Sequence, residues 1–240
     1  MASPPFRFKR FDIRQEAVVH PAGTDSVLLG AWAPVAASSR ILDVGTGTGI
    51  VALMLAQRTE VFENVSITGV ELDDATAACA AANFAASPWS ARLVVVNESV
   101  QQFADDATEP YDLIVSNPPF FTETVVSPDM RRRLGRNTDS LRPGEFLAAA
   151  EKLLRKDGKL AVILPPAEGR RLCEMAVPLG LYCTMETRVR TRKDKSVERF
   201  LLVFERKPQG FERSELSIYE AGEAYSAEFQ GLTQDFYLFF

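Results

Sequence analysis

Two kinds of hydrophobic pattern follow one another in turn along this chain. Short, continuous runs rich in Val, Ile and Leu are typical of strands buried on both faces of a sheet. They predict strands at residues 40–45, 65–72, 91–97, 111–117, 159–164, 181–190 and 198–206. Segments with apolar residues three and four positions apart predict helices at 49–58, 73–86, 144–155 and 168–180. The alternation predicts an α/β fold with a doubly wound, mostly parallel, seven-stranded sheet.

The ends of the chain depart from this alternation. A polar segment, TRKDKS, separates the last two predicted strands and indicates a hairpin, so that the terminal strand runs antiparallel. We expect residues 1–33 to form an arm and a capping helix, and 34–206 to form the main domain. Residues 207–240 are expected to be a C-terminal extension packed on that same domain.

Composition and charge narrow the class of protein. With 240 residues, 46% of them hydrophobic, the chain can bury one full core. A formal net charge of −5 argues against a uniformly basic surface but allows a local basic patch. A single histidine, His20, and the scattered Cys79, Cys173 and Cys183 offer no metal ligand set. The longest apolar runs are too short to span a membrane, so we expect a cytoplasmic protein, with a monomer favoured.

A glycine-rich turn, DVGTGTG, joins the first predicted strand of the sheet to a helix. Gly45, Gly47 and Gly49 allow a tight turn and close approach of a ligand to the backbone. Glu71 ends the next strand, where a nucleoside ribose would need a carboxylate. NAD is the obvious competing ligand. However, Asp43 would crowd a pyrophosphate, whereas it can meet the ammonium group of an amino acid attached to a nucleoside, as in S-adenosyl-L-methionine.

The pattern D-x-G-x-G-x-G followed by VELD resembles the cofactor site of class I S-adenosylmethionine-dependent methyltransferases, which have a Rossmann-like fold. The resemblance implies that the glycine loop lies under the methionine end and that Glu71 accepts both ribose hydroxyls. Leu72 would cover one adenine face. Many relatives have an aspartate after the third strand that accepts the adenine amino group. In this chain Ser99, or the Val100 backbone, takes that position.

The fourth predicted strand of the sheet ends in Asn-Pro-Pro-Phe. An exocyclic adenine amine is a poor nucleophile, and two acceptors on its hydrogens would redirect its lone pair. Asn117 offers a side-chain carbonyl, Pro118 offers a main-chain carbonyl, and Pro119 stiffens the turn. Phe120 offers a ring face for an unstacked or flipped base. The tetrapeptide alone is as consistent with a Pro-rich turn, but its place at a strand end beside the glycine loop favours a catalytic site.

This motif resembles the [N/D/S]-P-P-[F/Y/W] of methyltransferases that act on the amino groups of adenine, guanine or glutamine amides. Residues 6–33, 136–165 and 225–240 resemble the bacterial tRNA (adenine-N6)-methyltransferases, which modify the adenine 3′ of the anticodon of valine tRNA. The likeness covers nearly the whole chain, and it implies methylation of adenine 37 in the anticodon stem-loop. It also implies that Thr24 and Asp25 start a helix that caps the methionine side, although GTDSVLLG equally suits plain helix N-capping.

The resemblance therefore implies a complete set of site residues. The catalytic residues are Asn117, Pro118, Pro119 and Phe120. The cofactor-binding residues are Thr24, Asp25, Asp43, Gly45, Gly47, Gly49, Glu71, Leu72, Ser99, Val100 and Asn117.

Three basic clusters interleaved with aromatic residues predict one RNA-binding surface. A single charged cluster is usually just a solvated face, so the argument depends on their combination. The connection over residues 121–142 is long for a compact domain and suggests a substrate loop. The candidate RNA contacts are Lys9, Arg10, Phe120, Phe121, Arg131, Arg132, Arg133, Arg136, Arg190 and Arg192.

Other functions remain open from the sequence. A protein-glutamine N5-methyltransferase of the release-factor type uses the same turn, usually with tyrosine where Phe120 stands. A ribosomal RNA guanine-N2 methyltransferase is a second alternative. A third is an RNA-binding protein that keeps the fold without turnover, against which the intact Asp43, Glu71 and Asn117 argue.

Overall fold

A computed structural model describes residues 5–15, 23–35, 38–118, 141–207 and 210–240 of the chain. Several residues named above lie outside these ranges. They are His20, Pro119, Phe120, Phe121, Arg131, Arg132, Arg133 and Arg136.

The described residues form one small and one large sheet. The small sheet is an antiparallel pair of two-residue strands, β1 (Phe6–Arg7) and β2 (Asp12–Ile13). The large sheet consists of β3 (Arg40–Val44), β4 (Ser66–Glu71), β5 (Leu93–Asn97), β6 (Tyr111–Ser116), β7 (Leu154–Leu164), β8 (Tyr182–Arg192), β9 (Arg199–Glu205) and β10 (Glu212–Tyr219). Its order is β10-β8-β9-β7-β6-β3-β4-β5.

This topology confirms the predicted fold class. Strands β3 to β7 are parallel neighbours, and β9 runs antiparallel to both β7 and β8, as the hairpin prediction requires. The predicted count of seven strands is wrong, because the described sheet has eight. The extra strand, β10, comes from the C-terminal extension and pairs in parallel with β8. Its first four residues are exposed, so they carry no apolar signal in the sequence.

Seven α-helices in the described residues cover both faces of the large sheet. They are α1 (Thr24–Trp32), α2 (Ile50–Arg58), α3 (Asp74–Ala85), α4 (Val100–Asp106), α5 (Pro143–Leu153), α6 (Pro166–Ala176) and α7 (Ala227–Thr233). Neighbouring strand residues point to opposite faces, so Ile41 belongs to one core and Leu42 to the other. The first core packs on α1, α2, α3 and α7, and the second on α4, α5 and α6.

The starts of α3 and α1 differ in whether a side chain caps the helix. Asp73 caps α3, and its carboxylate accepts a hydrogen bond of 2.8 Å from the Thr76 amide, which satisfies one of the amides left unpaired in the first turn. For α1, the predicted start is confirmed, but side-chain capping by Thr24 or Asp25 is not observed. Gly23 is the N-cap, so both residues lie inside the first turn, where their side chains can serve other contacts.

The junction between α5 and β7 is tighter than expected. The sequence predicts a helix over residues 144–155 and a strand from residue 159, whereas β7 already begins at Leu154. The register shifts within the strand, since Tyr111 pairs with Leu154 and Leu113 pairs with Lys159. A Cβ atom on Gly158 would lie 2.9 Å from the Tyr111 carbonyl oxygen, so this irregular step needs a residue without a side chain.

The two ends of the chain pack against each other. The Lys9 amide donates to the Phe236 carbonyl oxygen at 2.8 Å, and the Phe8 and Tyr237 rings stack with centroids 5.9 Å apart. No disulfide joins the cysteines, all of which lie in described segments. Within the described ranges, no helix is long and apolar enough to cross a membrane, and no cluster of potential metal ligands occurs.

Candidate active site

The predicted cofactor-binding residues at the ends of β3, β4 and β6 lie together at one edge of the large sheet. β3 pairs in parallel with β4 and with β6, and Val44 lies in register with both Val70 and Ser116. The three strands therefore end side by side. Glu71 is the last residue of β4, and Asn117 directly follows β6. Ligands of doubly wound folds bind at this carboxyl edge.

The glycine loop turns sharply at the end of β3. The Gly45 and Thr46 amides donate to the Val70 carbonyl oxygen at 2.9 and 3.0 Å, which fixes the loop against β4. Gly45, Gly47 and Gly49 have positive φ angles of 67°, 58° and 83°. A side chain at Gly45 would meet no atom within 4 Å, so this position leaves open space above the backbone for a ligand.

Replacing Gly49 with alanine is expected to destabilise the fold. Its φ angle disfavours any side chain, and a Cβ atom would lie 2.4 Å from the Phe84 ring in the core. We expect a loss of about 1–3 kcal/mol in the free energy of unfolding, measured by urea denaturation. Gly23→Ala is the matched control, because Gly23 has no neighbour within 4 Å of the added atom. Equal stabilities of the two variants would contradict this role of Gly49.

Asp43 is a buried carboxylate beneath the glycine loop. Its side chain is 1% exposed and accepts a hydrogen bond of 2.7 Å from the Thr46 hydroxyl. Burial raises the pKa of Asp43 to about 7, against the lowering effect of hydrogen bonds from Thr46 and the Ala52 backbone. A cation that binds beside it would favour the charged form. Thr46, which the sequence argument did not single out, therefore holds Asp43 in place.

Two backbone amides fix the orientation of the Glu71 carboxylate. Its Oε2 atom accepts from the Gly47 amide at 3.0 Å, and its Oε1 atom accepts from the Asp73 amide at 3.1 Å. Each carboxylate oxygen can accept further bonds, which suits a pair of ribose hydroxyls. The adjoining Leu72 is 47% exposed, which is unusual for an apolar side chain and suits contact with a flat base. This part of the edge fits a nucleoside.

Ser99 and Val100 lie at the start of α4, just beyond β5. The Ser99 hydroxyl caps this helix by accepting from the Gln102 amide at 3.1 Å, and Val100 is buried. The Asn97 amide group donates to the Glu71 carbonyl oxygen at 2.9 Å, which joins the ends of β5 and β4. Ser99 therefore stands on the same edge as Glu71, and its contact with a cofactor adenine stays a prediction.

The Asn117 side chain has a defined orientation. Its amide nitrogen donates to the Ser26 hydroxyl in α1 at 3.2 Å, so the amide carbonyl faces the other way. The Ser116 hydroxyl donates to the Val44 carbonyl oxygen at 2.8 Å and holds the strand end against β3. Pro118 follows and is buried. Ser26 lies next to the predicted Thr24 and Asp25, but nothing in the sequence signals its contact with a residue 91 positions away.

Asp25 forms an ion pair across the site. Its carboxylate accepts a hydrogen bond of 2.7 Å from the Arg199 Nε atom, at the first residue of β9. Both side chains are about one-third exposed, at 36% for Arg199 and 33% for Asp25. The pair fastens the first turn of α1 to the sheet. The proposed contact of Asp25 with a cofactor would have to share the carboxylate with Arg199.

The candidate RNA contacts in the described segments all have intramolecular partners. The Lys9 Nζ atom donates to the carbonyl oxygens of Gln234 and Phe240 at 2.7 and 3.0 Å. Arg10 forms a two-bond pair with Glu60 and lies over the Trp89 ring. Arg190 pairs with Glu215 at 3.1 Å, and Arg192 donates to the Gly222 carbonyl oxygen at 3.0 Å. Their contact with RNA stays a prediction.

One cavity among the described residues does not coincide with this edge. It measures about 620 Å³ and is lined in part by Gln57 and Arg58, at the opposite end of α2 from the glycine loop. We therefore assign it no part in the site. A second cavity, of about 300 Å³, touches Thr24 and Asp25.

The sheet order, the glycine loop and the carboxylate at the end of β4 together define a class I methyltransferase fold. A predicted O-methyltransferase from Agrobacterium tumefaciens has a similar structure, with a TM-score of 0.66 at 20% sequence identity. The match covers 88% of this chain and 96% of that one. An O-methyltransferase from Bacillus cereus, determined in complex with SAH, matches with a TM-score of 0.53 at 17% identity, over 77% of this chain and 82% of that one.

Sequence comparisons identify the family to which the chain belongs. Residues 22–171 match the family described as methyltransferase small domain. A tRNA1(Val) (adenine(37)-N6)-methyltransferase from Tolumonas auensis is 42% identical over 99% of this chain and 98% of its own length. Its namesake from Trichodesmium erythraeum is 41% identical over 99% of both chains. The chain therefore belongs to the methyltransferase small domain family and, within it, to the family of tRNA1(Val) (adenine(37)-N6)-methyltransferases.

Proposed function

We propose that this protein transfers a methyl group from S-adenosyl-L-methionine to the N6 amino group of adenine 37 in the anticodon stem-loop of valine tRNA. The main support is the position of Asn117 and Pro118, which directly follow β6 at the edge of the sheet that carries the glycine loop and Glu71. The full-length relatives carry the name of this activity and not of the glutamine or guanine alternatives. The proposed substrate makes the cytoplasm the site of the reaction, and we propose that the protein acts as a monomer.

The cofactor would lie along the carboxyl edge from β3 to β5. Asp43 would face the ammonium group of the methionine moiety, with Gly45 and Gly47 leaving room for it. Glu71 would accept the ribose hydroxyls, and Leu72 would cover the adenine. When bound, S-adenosyl-L-methionine supplies an electrophilic methyl group on a sulfonium. The remaining predicted contacts are Thr24, Asp25, Gly49, Ser99, Val100 and Asn117.

The chain's own residues would orient the amine. Because Ser26 binds the Asn117 amide nitrogen, the amide oxygen is left to accept a hydrogen from the target amino group. The Pro118 carbonyl oxygen would accept the second hydrogen. Two acceptors would stabilise the positive charge that develops on nitrogen as the N–C bond forms and the bond from that carbon to sulfur breaks, after which the nitrogen loses one proton to solvent. We propose Phe120 as the stacking surface for the adenine and Pro119 as the residue that stiffens the turn.

The proposal is tested by offering the protein three pools of acceptors. Wild-type protein and labelled S-adenosyl-L-methionine are incubated separately with tRNA, ribosomal RNA and release factor, followed by nucleoside and peptide mass spectrometry. We expect label only in the tRNA pool, as N6-methyladenosine. Label in 2-methylguanosine would instead indicate a guanine-N2 methyltransferase, and label in a glutamine side chain would indicate a glutamine-N5 methyltransferase. Cofactor binding without transfer to any pool would favour an RNA-binding protein that has lost turnover.

Replacing Arg131, Arg132 and Arg133 together with alanine is expected to weaken RNA binding. Log affinity falls as log salt rises, and each lost phosphate contact should make this dependence less steep by about 0.7. The difference in RNA affinity between the variant and the wild type should therefore shrink at high salt. The measurement is a filter-binding titration at several salt concentrations. Affinity for S-adenosyl-L-methionine should not change. Arg155→Ala is the control, since Arg155 pairs with Asp112 at the opposite end of β6. Unchanged RNA affinity of the triple variant would remove residues 131–133 from the interface.

A further inference from the structure

The cavity of about 300 Å³ lies on the same edge of the sheet as Asn117. It is lined by the end of β8 at Val189 and Arg190, by the start of β9 at Arg199 and by the end of β10 at Tyr219. Because β9 is antiparallel to both β7 and β8, the ends of β7 and β8 point the same way, and β10 follows β8. The cavity is therefore at the carboxyl edge, in the half of the sheet that does not carry the glycine loop.

One turn of α1 separates this cavity from the candidate catalytic residue. Thr24 and Asp25 line the cavity, and the next residue, Ser26, binds the Asn117 amide at 3.2 Å. A ligand in the cavity and a base held by Asn117 would thus contact the same helical turn. This closeness suits two neighbouring parts of one substrate.

The far wall of the cavity is aromatic. Tyr219, Tyr225, Phe229 and Tyr237 all line it. The Tyr219 and Tyr225 rings stack with centroids 4.9 Å apart, and Tyr225 and Phe229 stack at 5.2 Å. A tyrosine hydroxyl is protonated at neutral pH and can donate a hydrogen bond, and burial raises the pKa of Tyr237 further, to about 12. Aromatic faces with hydroxyl groups at their edges suit a nucleobase.

Both arginines that line the cavity are already paired, and Glu198, which also lines it, accepts a hydrogen bond from the Thr191 hydroxyl. Arg199 binds Asp25 at 2.7 Å, and Arg190 binds Glu215 at 3.1 Å. Each cation is therefore neutralised by a carboxylate that would repel a phosphate. The walls favour a neutral ring over an anion, so we expect binding here to depend little on salt.

We propose that this cavity binds the base of a nucleotide adjacent to the methylated adenine in the substrate RNA. The inference rests on the proposed function and adds a second base contact to it. When one base of a loop is drawn to Asn117, its neighbour loses a stacking partner and exposes a ring face. The aromatic cavity beside the first turn of α1 would replace that lost stacking.

Wild-type protein tests this proposal directly. Binding and methylation are both measured with three anticodon stem-loop RNAs, namely the intact loop and two loops with an abasic nucleotide on the 5′ or 3′ side of the target adenine. We expect one abasic RNA to bind roughly 5- to 100-fold more weakly, by a factor that stays constant between low and high salt. Equal binding of all three RNAs would overturn the proposal. Failure to methylate even the intact loop would instead contradict the proposed function, and the inference would fall with it.

A variant in the cavity wall identifies where that base binds. Tyr219→Ala shortens the wall, and Phe211→Ala is the control because Phe211 is half exposed beside the opposite end of β10. Tyr219→Ala should weaken binding of the intact loop by roughly the same 5- to 100-fold. The variant should then bind the intact loop and the weaker abasic RNA equally well. Affinity for S-adenosyl-L-methionine and the thermal midpoint report on folding. A full abasic penalty in a folded Tyr219→Ala protein would place the neighbouring base elsewhere and overturn the assignment.

Discussion

Replacing Asn117 with alanine is expected to lower the turnover number for methyl transfer by at least about a hundredfold, the range seen when a group that stabilises developing charge is removed. The side-chain oxygen is one of two acceptors proposed for the target amine, and alanine leaves only the Pro118 carbonyl oxygen. Asn117 is one of several predicted cofactor contacts and Asp43 and Glu71 are untouched, so affinity for S-adenosyl-L-methionine should fall far less than the turnover number. Single-turnover kinetics and calorimetric titration measure the two quantities separately.

Ser26→Ala is the companion variant for Asn117. It keeps the amide oxygen but removes the hydroxyl that binds the amide nitrogen at 3.2 Å. We expect a smaller fall in turnover than for Asn117→Ala, because the side chain can still adopt the productive orientation part of the time. Full activity of Asn117→Ala would rule out its proposed role. A loss for Ser26→Ala as large as for Asn117→Ala would show that orientation is the larger contribution.

Replacing Asp43 with asparagine is expected to weaken cofactor binding strongly. Removing one partner of a buried charged pair costs about 2–5 kcal/mol, which corresponds to at least about a thirtyfold loss of affinity for S-adenosyl-L-methionine. Wild-type affinity should itself decline as the pH falls below about 7, since burial raises the pKa of Asp43 to about 7 and protonation removes its charge. Isothermal titration at several pH values measures both effects. Affinity of the variant equal to that of the wild type would contradict the contact with the ammonium group.

The same substitution should stabilise the protein when no cofactor is bound. The pKa of Asp43 is about 7 in the folded chain and about 3.8 when unfolded, so the folded state holds the proton more tightly. Stability of the wild type therefore falls as the pH rises from about 4 to about 7. The asparagine side chain does not titrate, so the advantage of Asp43→Asn should grow across this window and then level off. Each kcal/mol raises the melting temperature by about 2–4 °C.

Asp194→Asn is the control for this pH dependence. Asp194 is exposed in the turn between β8 and β9, so its replacement should give a nearly constant difference in melting temperature. Thermal unfolding of the three proteins from pH 4 to pH 8 provides the comparison. If Asp43→Asn and wild type lost stability in parallel over this range, the pKa of Asp43 would not be raised in the folded protein.

Local patterns in the sequence were sufficient for the central part of the fold. Strands such as β3 and β6 are largely buried on both faces, so each appears in the sequence as a mainly apolar run. β10 was missed because Glu212 to Glu215 are exposed at the edge of the sheet, and only its second half is partly buried. Strands β1 and β2 have two residues each, which is too short for any periodicity.

The candidate site also contains some residues that the sequence predicts and others that it does not. Asp43, Glu71 and Asn117 could be predicted because each stands at the end of a strand or beside a local motif. Ser26 and Arg199 could not, since their partners lie 91 and 174 positions away in the chain. Such contacts depend on which strands become neighbours, and β9 lies between β7 and β8 rather than following them in order. The cavity beside α1 depends on the same arrangement.

Methylation of a single adenine tests the central claim most directly. Unmodified valine tRNA and a version with guanine in place of adenine 37 are each incubated with the protein and labelled S-adenosyl-L-methionine, and their nucleosides are analysed by mass spectrometry. The account predicts about one N6-methyladenosine per intact tRNA and no label in the substituted tRNA. Label in both tRNAs, or in a nucleoside other than N6-methyladenosine, would contradict the role given to Asn117 and Pro118.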